Sequence, residues 1–187
     1  MKRLSVTRRH LAIAAALVAT IMTFTGLRFI ERAESQQYRV AGPDAPWAAH
    51  IKAVDEGLEN KDIQTAEFEW HRAYLAALGA RRWEGKADVG DAALRIGEVT
   101  GSLKISQAKA RRLFLAAFFL AREQGSVEGV LRASQAFIAL GDREVAAQCL
   151  RTARDLATRK GDAEAIRRAS EMEGQLQGSL YAARTER

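Results

Sequence analysis

The stretch "ASQAFIALGDREVAAQCLRTARDLAT", residues 133–158, reads as two helices joined by a tight turn. Gly141 suits the left-handed residue that stops a helix, and Asp142 is an N-cap for the next one. Glu144 follows in the first turn, where the helix dipole favours an acid. On the second helix Ala146, Leu150 and Ala153 share one face. The stretch "AVDEGLENKDIQTAEFEWHRAYLAAL", residues 53–78, superposes on it residue for residue. Ala53 falls on Ala133, Asp62 on Asp142, Ala66 on Ala146, Trp70 on Leu150 and Ala73 on Ala153. A weaker copy lies between them, with Ala110, Phe114 and Ala117 standing 36 residues before the last set and a longer loop. A repeated helical hairpin predicts an all-α chain built by stacking.

The same punctuation recurs at "GSVEG" from 125 and "GDAEA" from 161, each placing glycine before a Ser or Asp cap. Asp44, with Pro46 in the first turn, predicts a helix to about Glu59. Asp62 starts a second helix, which ends near Gly79. "ARRWEGKADVG", residues 80–90, reads as a looser stretch before a helix around Asp91–Val99. Ser102 to Gln124 is a long, strongly apolar helix. About seven antiparallel helices with short loops follow. Two prolines in 187 residues fit that reading.

Charge is uneven. The first 30 residues hold five of the 29 Lys/Arg and none of the 23 Asp/Glu, leaving 24 bases against 23 acids in the rest. Phosphate binding needs a clustered positive field, so no nucleic-acid partner is expected. Residues 1–10 form a basic n-region, and Leu11–Leu27 then run without a charge. Such a helix spans roughly 26 Å, near the lower limit for a bilayer, and Phe29 and Ile30 extend it. The zone after it, "TFTGLRFIERAES", lacks the small residues of a cleavage site. Residues 11–30 are therefore expected to be an uncleaved transmembrane signal anchor, with a cleaved signal as the alternative. "TRRHLA" (Thr7–Ala12) also resembles a twin-arginine export signal. The positive-inside rule keeps the N-terminus in the cytoplasm and sends the rest to the periplasm, giving a single-pass inner-membrane protein. Residues 31–44 read as a linker, 45–183 as the helical domain and 184–187 as a tail.

The small–large–small spacing resembles the tetratricopeptide repeat, a helix–turn–helix unit of 34 residues. The last copy fits best, with Val130, Ala133, Ser134 and Phe137 on its first helix. The first copy departs, with His50 and Gly57 where the family prefers large or aromatic residues. Ile166, Ala169 and Ser170 are in phase on a last helix similar to the one that caps such arrays. The resemblance implies an α-solenoid whose first helices line a groove for a protein partner. By matching position, Ile51, Asp55 and Leu58 of the first repeat and Leu131, Gln135 and Ile138 of the last would face that groove. Arg132 falls near the family's basic carboxylate clamp, whose companion residues are missing here. Trp83, in "RRWEG", is a further candidate contact, with burial under the hairpin turn as its alternative.

Signals of chemistry are sparse. His50 and His71 lie on adjacent predicted helices, but no third ligand has metal spacing. Cys149 has no second cysteine and sits among alanines and leucine, as a small buried hydrophobe does. Glu67, Glu69, His71 and Tyr74 surround Trp70 in "AEFEWHRAYLAAL", yet Ala66, Trp70 and Ala73 read as a packing stripe that Tyr74 and Leu78 continue. No catalytic set, metal, cofactor or small-molecule substrate is expected. The expectation is a membrane-anchored, periplasm-facing scaffold or assembly factor for another envelope or membrane protein. The alternative is a stoichiometric accessory subunit, whose alanine-rich anchor would pack on a larger complex.

Overall fold

A computed structural model describes residues 42 and 44–185, with side chains through 177. The described residues hold seven α-helices and no strand: α1 (Ala48–Glu59), α2 (Ile63–Ala80), α3 (Trp83–Thr100), α4 (Leu103–Glu123), α5 (Val127–Ala139), α6 (Arg143–Lys160) and α7 (Ala163–Thr185). They belong to one unit, Val40–Arg187. No helix among the described residues is long and apolar enough to cross a membrane. The n-region 1–10, the expected anchor 11–30 and nearly all of linker 31–44 lie outside the described residues.

The turns follow local chemistry. Asp62 accepts the Thr65 amide at 3.0 Å, Ser126 the Gly129 amide at 3.0 Å, and Asp162 the Ala165 amide at 2.9 Å. Asp142 makes no such cap, because Arg111 of α4 donates to its carboxylate at 2.6 Å. A tertiary ion pair has displaced the expected local bond. Gly125, Gly141 and Gly161 take φ of 65°, 77° and 69°, the left-handed turn their positions require. Lys61 and Arg81 occupy the same region without glycine, at 59° and 50°.

Two boundaries differ from the sequence reading. α1 starts after Trp47, so Asp44 and Pro46 precede it in a turn. α3 starts at Trp83, not near Asp91, so the stretch 83–90 is helix. Gly85 and Gly90 lower its helix propensity, but their missing side chains admit rings from elsewhere in the chain. A Cβ on Gly85 would lie 3.0 Å from Trp47, and one on Gly90 would lie 2.7 Å from Phe114. Packing overrides propensity here. The longer loop read for the middle repeat is also absent. Two residues, Gly101 and Ser102, join helices of 18 and 21 residues, against 13 and 18 in the next hairpin.

Each helix packs on its chain neighbours. In addition α1 packs on α3, α3 on α5, and α5 on α7, while α2, α4 and α6 have no comparable contact with one another. The first helices of successive hairpins thus form one layer and the second helices an outer one, an arrangement compatible with a helical repeat. α3 joins two apolar clusters. Val89, Ala92, Ala93 and Ile96 pack with Trp47, Ile51, Val54, Trp70 and Leu113. Trp83 and Ala87 pack with Phe114, Phe118, Val130, Phe137 and Leu150. Trp70 also donates its indole N–H to the Val89 carbonyl at 2.9 Å, in the buried interior.

Close approach between hairpins depends on Gly129, where a Cβ would meet Ala121 Cβ at 2.6 Å and Trp83 at 2.7 Å. Gly129→Ala is expected to destabilise by about 1–3 kcal/mol through overpacking. Gly79, also helical, has nothing within 4 Å. Gly79→Ala is expected to stabilise by up to about 1 kcal/mol through helix propensity alone. Urea denaturation of the two variants checks the opposite signs.

Candidate functional site

The layer of first helices carries a ladder of ion pairs. Arg95 of α3 donates to Asp55 of α1 at 2.8 Å, Arg132 of α5 pairs with Asp91 of α3, and Arg168 of α7 donates to Glu128 of α5 at 2.8 Å. Each arginine reaches back to the acid of the preceding repeat. The acids Asp55, Asp91 and Glu128 recur at spacings of 36 and 37, and the arginines at 37 and 36. The acid and arginine four apart on one helix (Asp91/Arg95 and Glu128/Arg132) therefore bond to neighbouring helices and not to each other, and Arg168, four after Glu164, does the same. On α7, with no further helix described, Glu164 is bonded by Arg167 instead. Burial pushes the Asp91 carboxyl above its ordinary range, against the pull of Arg132 and Arg95.

This layer settles where the candidate partner contacts lie. Ile51, Trp83 and Leu131 are buried in the core, at 4%, 5% and 4% exposure, and hold the stack together. Trp83 is the first residue of α3, not part of an open loop. The left-handed Arg81 turns the chain and Arg82 pairs with Glu84 at 2.7 Å, which tucks the indole inward. Asp55 and Arg132 are rungs of the ladder. Leu58 and Ile138 are half-buried against the two clusters. Gln135 is partly exposed on the same face of α5 as Glu128 and Arg132. Of the eight, Leu58, Gln135 and Ile138 keep surface to offer without breaking the stack.

A cavity of about 270 Å³ opens elsewhere, in the trough between α2 and α4. Trp70, Ala93 and Ile96 line its apolar part, and Glu67, His71 and Lys109 its polar part. Trp70 stacks on Tyr74, with centroids 5.8 Å apart and planes at 11°. Lys109 Nζ lies 5.1 Å from the Trp70 ring, and Lys86 Nζ 5.8 Å from the Tyr74 ring. Ammonium groups over ring faces are attracted by the ring quadrupole. Trp70, a residue of the packing stripe, thus also lines a surface cavity. It has room for one side chain, below the size of an ordinary ligand pocket.

Lys86 is buried, and its amine has no hydrogen-bond partner among the described residues. Desolvation holds it below the usual lysine range. With a depressed pKa in the folded state, the unfolded chain binds the proton more readily, so stability rises with pH through the interval between the two values. Lys86→Met is expected to raise stability at pH 7 by about 1–2 kcal/mol, a gain that shrinks toward pH 10–11. Denaturant midpoints measured across that range check both the sign and the trend.

The histidines do not meet. His50 bonds Glu69 at 2.7 Å, which holds that carboxyl below its ordinary range, while His71 borders the cavity. Among the described residues no group of three or more His, Cys, Asp or Glu could hold a metal. Cys149 is buried and its thiol is pushed up to about 12 by desolvation, so it stays protonated. Comparison with known proteins finds no family model, no curated protein and no solved structure that matches this chain.

Proposed function

We propose that the chain is a membrane-anchored, periplasm-facing scaffold or assembly factor, built as a tetratricopeptide-like α-solenoid, that binds another envelope or membrane protein. The observation that carries the reading is the ladder. Three acid–arginine rungs at a period of 36–37 residues align the first helices as one continuous layer. Stacked hairpins of this kind offer an extended face for another chain. Leu58, Gln135 and Ile138 are the partly exposed residues of that layer which a partner would touch. The apolar run 11–30 supplies the anchor, which would keep the domain at high effective concentration beside its partner.

The test is affinity purification of the full chain from gently solubilised membranes, against a control carrying residues 1–45 alone. Enrichment of one or a few membrane proteins by the full chain supports the proposal. No enrichment over the control ends it. Recovery of one large complex at fixed stoichiometry assigns the role of accessory subunit instead.

A further inference from the structure

The outer faces of α2 and α4 differ from that of α6. On α2, Phe68 and Leu75 are 62% and 65% exposed and lie opposite the buried stripe Ala66, Ala73 and Ala77. Leu78, expected to continue that stripe, turns off its edge and faces solvent too. On α4, Ile105 is 63% exposed, and Leu115 and Phe119 are exposed beside it. The corresponding positions of α6 hold Gln148, Arg151 and Asp155, all exposed and polar. Large apolar side chains in water are therefore concentrated on two neighbouring helices, a distribution that marks a contact surface.

We infer that this face docks on the surface of an anionic lipid bilayer. The first reason is charge. Lys104, Lys109, Arg112 and Arg122 of α4 are exposed without a carboxylate partner among the described residues, and Glu123 is the one acid of that helix. Apolar residues flanked by cations match an acyl boundary beneath anionic headgroups. Arg122 lies 5.1 Å from the Phe119 ring, so a cation stands beside that apolar tip, while on α2 Arg72, 5.9 Å from the Phe68 ring, is paired with Glu69 at 3.1 Å. The second reason is shape. The apolar side chains crown two ridges, and the trough between them, lined by Phe68, Trp70, Ala93 and Ile96 as well as Glu67, His71 and Lys109, holds only about 270 Å³. A cavity of that size seats one side chain and not the apolar face of a partner helix. Apolar ridges suit a broad, soft surface. The third reason is reach. Residues 31–47 join the apolar run to α1, and even fully extended they hold the domain within roughly 60 Å of a membrane that the run would enter. That last reason rests on the anchor of the proposed function; the first two stand without it.

The test uses the full chain reconstituted in vesicles of phosphatidylglycerol and phosphatidylcholine. A bimane probe is attached to Leu75→Cys, Phe119→Cys or, as control, Asp155→Cys, each with buried Cys149 replaced by Ala. Quenching by lipids spin-labelled on the acyl chain is expected to be several-fold stronger at 75 and 119 than at 155. Arg112→Glu with Arg122→Glu, or pure phosphatidylcholine, is expected to abolish the difference. Equal quenching at all three positions overturns the inference. A probe at 119 shielded from aqueous iodide but untouched by lipid quencher also overturns it, and assigns the face to a second copy of the chain. Flotation of the double Arg→Glu variant, which keeps residues 11–30, reports the anchor separately.

Discussion

Phe114→Ala is expected to lower stability by about 3–5 kcal/mol, the loss typical of a large aromatic removed from a packed core. Phe114 is 1% exposed and belongs to the cluster spanning α3 to α7. Its ring meets Phe137 of α5 edge-on at 6.4 Å and lies against Gly90 of α3. Deleting it strips contacts from three helices at once. Collapse cannot refill the space, because glycine has no side chain to move into it. Phe114→Leu keeps much of the volume and is expected to cost about 1–1.5 kcal/mol. Phe119→Ala, on the exposed face of the same helix, is expected to change stability by less than about 0.5 kcal/mol. Urea unfolding of the three variants orders them, and near-equal values would show that α4 is not the centre of the stack.

Arg132→Met is expected to destabilise by roughly 2–4 kcal/mol, because it leaves the Asp91 carboxylate in the layer without its main partner. The side chains are 12% and 28% exposed, so the loss falls somewhat short of that for a fully buried pair. Removing both charges, as Asp91→Ala with Arg132→Met, is expected to recover most of the loss, since the greater part is the penalty of an uncompensated charge. A double-mutant cycle by chemical denaturation measures the coupling. A coupling near zero would mean that the rung does not hold α3 to α5.

The hairpins were legible in the sequence because their signals are local. Gly141 and Asp142, or Gly161 and Asp162, mark a turn whatever packs around it. The Ala66–Trp70–Ala73 stripe likewise marks a buried face, and all three residues are buried. The first half of α3 was not legible. Gly85 and Gly90 weaken a helix by intrinsic propensity, and the rings of Trp47 and Phe114 that occupy the space they leave come from distant positions. The ladder left a trace, the acid–arginine pair four apart recurring at 36–37, which reads first as ordinary intrahelical pairing. Its true partners stand 40 and 41 residues away. The α2–α4 face was hidden for another reason. Phe68 and Leu75 form a second apolar stripe on α2, and periodicity does not tell which of two stripes is covered. Of the candidate contacts, Ile51 and Leu131 matched the repeat pattern, but the neighbouring first helices close over them.

Photo-crosslinking in intact cells asks whether the layer of first helices receives a membrane-protein partner. A photoreactive amino acid replaces Leu58, Gln135 or, as control, Asp155 in the full chain. An adduct with the same membrane protein is expected from positions 58 and 135, and none from 155. Adducts from 155 alone, or none from any position while the protein folds and reaches the membrane, would contradict the proposed partner site.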